Sequence, residues 1–176
     1  MDDPKFDLSK LIAAGRRAAA RAPGQFVDSA SRMVKQTPDD RLERLMKSPV
    51  RRMILEGVFW QMPQQLDRQR AAGVNAAVLW RIAGRPDGGT DDFRLLIADG
   101  SARTARGASD QPPLPVLTLR IDGVDFLKLI SGGLDPMRGY FGGRIEMAGD
   151  LMFAAKLGSM FRVSPPPPPP PPPRAA

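Results

Sequence analysis

The sequence contains no cysteine and no histidine among its 176 residues. Without cysteine, the chain lacks a disulfide framework, a thiolate metal site and a cysteine nucleophile. Without histidine, it lacks an imidazole general base, a Ser-His-Asp triad and a histidine-ligated metal. Any chemistry would therefore depend on Asp, Glu, Lys, Tyr or Arg side chains, and nothing in the sequence indicates a cofactor or a metal.

Aromatic residues and long apolar runs are also scarce. Aromatic residues make up 6% of the chain, with one Tyr and two Trp. None is interleaved with basic residues as a nucleic-acid stacking surface requires, so no nucleic-acid partner is expected. No apolar run approaches the roughly 20 residues of a membrane span. Residues 1–10 lack the apolar core of a signal peptide, and we therefore expect a cytoplasmic protein.

Positive charge is concentrated towards the N-terminus. The formal net charge is +7, and 12 of the 26 Lys and Arg residues lie within the first 52 positions. Residues 1–36 also carry apolar residues at helical spacing, which predicts a basic amphipathic extension. Such a segment either docks transiently on an anionic membrane surface or remains a solvated face that packs on its own domain.

The other end of the chain is dominated by proline. Residues 165–173 are nine consecutive prolines, which must form a polyproline II rod. The rod is either a ligand for a proline-reading module or a spacer. We therefore divide the chain into an N-terminal extension (1–36), one folded domain (37–163) and a proline tail (164–176).

Within the folded domain, the spacing of apolar residues predicts helices first and strands second. One helix is predicted to begin at a cap formed by Thr37 or Asp39. Two more helices are predicted over 50–62 and over 64–72. The period then changes to two, which predicts strands over 74–82, 93–97, 101–106 and 116–121, with a hairpin at Asp99-Gly100. Helices over 123–130 and 135–141, a fifth strand over 145–149 and a final helix capped by Asp150 follow. This order predicts an α+β fold, with an antiparallel meander and helices packed on one face of a five-stranded, mostly antiparallel sheet.

The C-terminal half carries an ordered series of motifs. They are LTLRID (117–122), DFLKL (125–129), GGLDP (132–136), YFGGRIEMAGD (140–150) and AAKL (154–157). In this order and spacing they resemble the sterol carrier protein type-two, or sterol-binding, domain family, over about residues 40–162. Arg144 stands where the family usually has Lys, and the Arg- and Ala-rich sequence is similar to bacterial stand-alone members.

The resemblance implies a sterol-carrier-like sheet covered by helices, with an apolar tunnel and no catalysis. It implies a sterol, fatty acid, acyl-CoA, phospholipid or quinone-type lipid as ligand, and a lipid-metabolising enzyme as a candidate partner. Carried onto this sequence, the lining residues are Trp80, Phe93, Phe126, Leu129, Ile130, Leu134, Met137, Tyr140, Phe141, Ile145, Met147, Met152 and Leu157. Arg144 and Lys156 are candidates for an acidic headgroup.

The residues themselves leave other interpretations open. A stripe of Met and Phe at helical spacing is usually core, Trp80 also suits a sheet-core anchor, and Arg144 and Lys156 suit a plain surface role. An isomerase-like enzyme would use a buried carboxylate among Asp122, Asp125, Asp135, Glu146 and Asp150, with Tyr140 as a donor. However, Asp122, Asp135 and Asp150 occupy predicted helix caps. A third alternative is an adaptor that works through the N-terminal extension and the proline tail.

Overall fold

The fold is given by a computed structural model that describes residues 31–110 and 112–161. Most of the N-terminal extension and the whole proline rod lie outside these residues, so the predictions for them stay predictions. Residues 31–36 are helical. The helices that follow are α1 (Asp39–Lys47), α2 (Arg51–Gln61), α3 (Gly123–Ile130), α4 (Pro136–Phe141) and α5 (Leu151–Met160), with a 3₁₀ helix at Met62–Gln65. The strands are β1 (Asn75–Ala83), β2 (Asp91–Ala98), β3 (Ser101–Arg106), β4 (Pro115–Asp122) and β5 (Ile145–Gly149).

The five strands form one mixed sheet in the order β3-β2-β1-β4-β5. The β1–β2, β2–β3 and β4–β5 pairs are antiparallel, whereas β4 lies beside β1 and runs parallel to it. The predicted α+β class with five strands is therefore confirmed, but the predicted meander is wrong at β4. Alternation of apolar residues determines which side chains face inward. It does not determine whether a strand after a long loop continues the sheet edge or crosses to the opposite side of β1.

The β2–β3 hairpin forms where the sequence predicts it. Asp99 and Gly100 both have positive φ, 42° and 78°, as a tight turn between twisted strands requires. Asp99 is the only non-glycine residue with positive φ in the described ranges. An Asp side chain tolerates that conformation better than most.

Helices cover the inner face of the sheet and bury its apolar side chains. The main core contains inner-face residues of β1, β2 and β4 and buried residues of α2, α3 and α5. On the outward face the strands carry charged pairs, such as Arg81 with Asp92 and Arg120 with Glu146. A smaller second core joins α1 to α3 through Leu42, Met46, Val124 and Leu127. The hydrophobic effect on one sheet face therefore holds the helices in place.

Two local predictions are wrong. Residues 64–72 do not form a helix, because the chain leaves the 3₁₀ helix at Leu66, which makes an isolated β-bridge with Phe161. The N-cap of α1 is Pro38, without a side-chain hydrogen bond. Thr37 instead donates its hydroxyl to the carbonyl of Met33, in the preceding turn. No helix in the described ranges is both long and apolar enough to cross a membrane.

Candidate functional site

Four aromatic side chains meet at the middle of the main core, and we call them the aromatic centre. Trp80 and Phe93 are cross-strand partners on β1 and β2, while Phe59 comes from α2 and Phe126 from α3. The ring of Phe59 is stacked on both of the other phenylalanine rings, with centroids 4.1 Å from Phe93 and 5.3 Å from Phe126. Phe59 therefore fills the space over the sheet between two flat rings.

Trp80 approaches the same rings by its edge. Its ring centroid lies 6.2 Å from that of Phe59 and 5.6 Å from that of Phe126, in T-shaped contacts. The residue is 6% exposed. Its indole nitrogen Nε1 has no hydrogen-bond partner within the part of the chain that the structure describes. This buried donor is the one feature of the aromatic centre that hydrocarbon burial alone does not explain.

The structure brings most of the predicted lining residues into the main core. Six of them are buried members of it: Trp80, Phe93, Phe126, Leu134, Ile145 and Leu157. Three more, Leu129, Ile130 and Met147, are partly buried and pack against it. These nine residues form a continuous apolar region, which extends from the sheet to α3, α5 and the loop before α4.

The other four predicted lining residues lie elsewhere. Met137, Phe141 and Met152 are exposed, the last two by 79% and 83%. Tyr140 is half-buried and its ring lies 5.5 Å from that of Phe141. On α4, Gly139 lies against the core, because a Cβ atom there would come within 2.7 Å of Ile145 Cδ1. The helix thus turns its glycine side to the core, and Met137 and Phe141 face away from it.

The two predicted headgroup residues differ in their surroundings. Arg144 donates to both carboxylate oxygens of Asp125, with Nε 3.1 Å from Oδ2. This hydrogen-bonded pair raises the pKa of Arg144 above its ordinary value. The pair joins the start of β5 to the first turn of α3. Lys156, on α5, is exposed. These surroundings do not identify a lipid-headgroup site at either residue. The headgroup role of Arg144 and Lys156 therefore stays a prediction.

The carboxylates considered for catalysis all have structural partners. Asp122, Asp135 and Asp150 are the N-caps of α3, α4 and α5, and each accepts a backbone N–H of its own helix. The predicted capping role of these three residues is confirmed. Asp125 pairs with Arg144, and Glu146 is an exposed partner of Arg120. None of the five is buried, since Asp125 is half-buried and the other four are exposed.

Sequence reasoning missed the contribution of α2 and of the chain before β1. The main core buries Leu55 and Phe59 of α2 and Leu66, which follows the 3₁₀ helix. It also buries Met160 of α5. The signal for α2 was present, because Leu55 and Phe59 are four residues apart and therefore share a helix face. Nothing in the spacing indicated that Phe59 would stack between Phe93 and Phe126.

A surface depression of about 340 Å³ lies beside this region, and we call it the mouth. It lies between the 3₁₀ helix and the β2–β3 hairpin, and its walls include Pro63, Leu66 and Ala102. Leu66 belongs to the main core and Ala102 packs against it. A hydrogen bond of 2.9 Å from Thr104 Oγ1 to the carbonyl oxygen of Phe59 holds α2 against β3 near this place. The mouth therefore lies on the surface next to the main core, with Leu66 in its wall.

A five-stranded mixed sheet with an apolar inner face under helices defines a small α+β domain with a hydrophobic interior. Residues 56–162, more than half of the chain, match the family model described as the SCP-2 sterol transfer family. The chain belongs to this family. The resemblance seen in the sequence is thereby confirmed.

Alignment with two structures of one sulfatase agrees with the fold. The sec-alkylsulfatase Pisa1 from Pseudomonas sp. aligns with a TM-score of 0.50 and 20% identity over 61% of this chain and 16% of its own. A double mutant of PisA1 aligns with a TM-score of 0.52 and 16% identity, over 60% of this chain and 16% of its own. This chain thus spans about one sixth of the sulfatase length. Sterol carrier protein 2 from Yarrowia lipolytica, in its apo form, aligns with a TM-score of 0.47 and 17% identity, over 58% of this chain and 80% of its own. No curated protein sequence matches the chain.

Proposed function

We propose that this protein binds a hydrophobic ligand, a sterol or another lipid, within the main core between the sheet and the helices, and carries it without chemical change. The observation that carries the proposal is the family match over residues 56–162, which includes all four residues of the aromatic centre. The ligand is held by burial of apolar surface, at about 25 cal/mol per Å² removed from water.

Binding requires the core to open, and α2 is the element that can yield. Phe59 lies between two rings and is held there by stacking, which a flat ring system or an acyl chain can replace. Met147 and Met160 border the same region, and methionine side chains adapt to varied apolar shapes. Movement of the C-terminal part of α2 away from β3 would join the mouth to the aromatic centre.

The carboxylates support a carrier over an enzyme. Each of the five candidates caps a helix or pairs with an arginine, so their positions already have a structural explanation. A carrier also needs no general base, in keeping with a chain that has no histidine and no cysteine. We therefore propose that the protein works as a non-catalytic, cytoplasmic carrier that supplies a lipid-metabolising enzyme or a membrane.

The test is a titration of delipidated full-length protein with fluorescent sterol, fatty acid and acyl-CoA probes. We expect saturable binding of at least one probe. Absence of saturable binding for all three classes would overturn the proposed function.

Two variants on β3 provide a matched pair for the same titration. Ala102 faces the core and lines the mouth, whereas Ala105 pairs with Arg94 and lies on the opposite face. We expect Ala102→Phe to slow or weaken binding and Ala105→Phe to bind as the wild type does. Equal effects of the two substitutions would show that the mouth is not the route to the core.

A further inference from the structure

Among the residues that the structure describes, none accepts a hydrogen bond from the buried indole N–H of Trp80. The rings and side chains next to it offer no acceptor: Phe93 and Leu119 flank Trp80 in the sheet, and Phe59 and Phe126 cover it. An unpaired buried donor is unfavourable, because it gives up its hydrogen bonds to water on folding and gains none in return. A tryptophan that only anchored the sheet would gain nothing from this donor, and phenylalanine would fill the same kind of site without the cost.

The apolar surroundings of Trp80 disfavour a water molecule as the partner of this donor. A buried water needs two to four polar partners, and the residues around Trp80 present hydrocarbon groups. The faces of Phe59 and Phe126 can accept an N–H only weakly. Such a contact would leave the donor free to move to a stronger acceptor, such as an oxygen atom.

We infer that Trp80 Nε1 donates a hydrogen bond to a hydroxyl or carbonyl oxygen of the bound lipid, and that it thereby selects neutral, oxygen-bearing lipids such as sterols. This inference rests on the proposed function and adds the chemical class of the ligand. It identifies Trp80 as the residue that orients the lipid, with the oxygen-bearing end directed to the aromatic centre.

Charge argues for a neutral oxygen at this place. The buried residues of the main core are all apolar, and a carboxylate there would lie without a counter-ion, which is strongly unfavourable. Arg106 lies at the edge of the aromatic centre, 6.0 Å over the ring of Phe93. Its guanidinium, however, is paired with Glu56 and Asp91. The free carboxylate of a fatty acid therefore fits the position beside Trp80 less well than a hydroxyl or a ketone does.

The experiment observes the NMR signal of the Trp80 indole proton directly. The chain has two tryptophans, so Trp60→Phe leaves Trp80 as the single indole signal in a ¹H–¹⁵N spectrum of full-length protein. Trp60 is 48% exposed on α2, and this variant should bind as the wild type does. The probes are 5α-cholestan-3β-ol and 5α-cholestane, which differ only in the hydroxyl group, and palmitic acid provides the charged comparison.

We expect cholestanol to shift the indole proton downfield and to bind about fivefold more tightly than cholestane, the effect of a hydrogen bond worth about 1 kcal/mol. Trp80→Phe should remove that preference, so that cholestanol and cholestane bind this variant with equal affinity. If both sterols bind with equal affinity and the indole signal does not distinguish them, the inference is wrong while the proposed function stands. If neither sterol binds, the inference is wrong, and the titration with sterol, fatty acid and acyl-CoA probes decides separately whether the proposed function stands.

Discussion

At the scale of single residues, the buried guanidinium of Arg51 joins several elements of the fold. Its side chain is 5% exposed, and Nε lies 2.9 Å from Asp91 Oδ2. Nη2 donates to the carbonyl oxygens of Ile82 and Ala83, each at 2.8 Å, and Nη1 donates to that of Met46. One guanidinium thus joins the starts of α2 and β2 to the ends of α1 and β1, as the planar donors of arginine allow.

We predict that Arg51→Met lowers the free energy of unfolding by about 3–5 kcal/mol, because it leaves a buried carboxylate and three carbonyl groups with fewer partners. The matched control is Arg52→Met on the same helix. Arg52 is 69% exposed and pairs with Glu56, so its loss should cost less than about 1 kcal/mol. Urea denaturation measures both changes. Similar losses for the two variants would contradict the structural role of Arg51.

At the scale of elements, glycine determines how closely β4 and β5 approach. Gly149 has a φ of 110°, and a Cβ atom there would overlap the carbonyl oxygen of Val116. The same carbonyl accepts the N–H of Asp150 at 2.8 Å. The Gly-Asp step that ends β5 and begins α5 therefore depends on the absence of a side chain.

We predict that Gly149→Ala destabilises the protein by about 2–4 kcal/mol, because both the φ angle and the backbone contact oppose a Cβ atom. Gly57→Ala offers the comparison in the middle of α2, where a Cβ atom would meet nothing within 4 Å. It should stabilise the protein by about 0.5–1 kcal/mol through helix propensity. Thermal denaturation followed by circular dichroism gives both values, and a loss for both variants would refute the distinction.

The elements themselves could be predicted well because their local signals agree. Alternation in β1, β2 and β4 predicted which residues face the core, and the three Asp caps marked the starts of α3, α4 and α5. The position of β4 beside β1 could not be predicted, because pairing depends on contacts far apart in the sequence. The stacking of Phe59 between Phe93 and Phe126 has the same origin. In the candidate site, the resemblance indicated the sheet residues and those of α3, whereas Met137, Phe141 and Met152 lie on the surface.

At the scale of the whole molecule, the lack of histidine shapes the response to pH. No side chain has an ordinary pKa between about 5 and 8. At lower pH, a hydrogen bond from Arg52 holds the pKa of Glu56 below its ordinary 4.5. A backbone hydrogen bond from Gly89 does the same for Asp87, whose ordinary value is 3.8. Because these pKa values are lower in the folded state, the stability they contribute is present above the ordinary values and is lost as pH falls.

We predict a free energy of unfolding that is nearly constant from pH 5.5 to 7 and decreases below about pH 4.5. Glu56→Gln should make the free energy of unfolding decrease less steeply below about pH 4.5 and leave it nearly constant from pH 5.5 to 7. Urea denaturation at a series of pH values checks both statements. A clear change of stability between pH 5.5 and 7 would show that a group with a strongly displaced pKa controls folding.

Lipid carriage by this protein requires a lipid to enter the core over the sheet. The most direct test is an isotope-filtered NMR experiment on ¹³C-labelled protein with an unlabelled lipid that binds it, which records nuclear Overhauser effects between lipid protons and protein methyl groups. We predict contacts to inner-face and α2 methyl groups, namely those of Leu55, Leu119 and Ile121, which are buried in the main core. Contacts confined to the exposed side chains of Met137 and Met152, with none to the core methyl groups, would contradict the account.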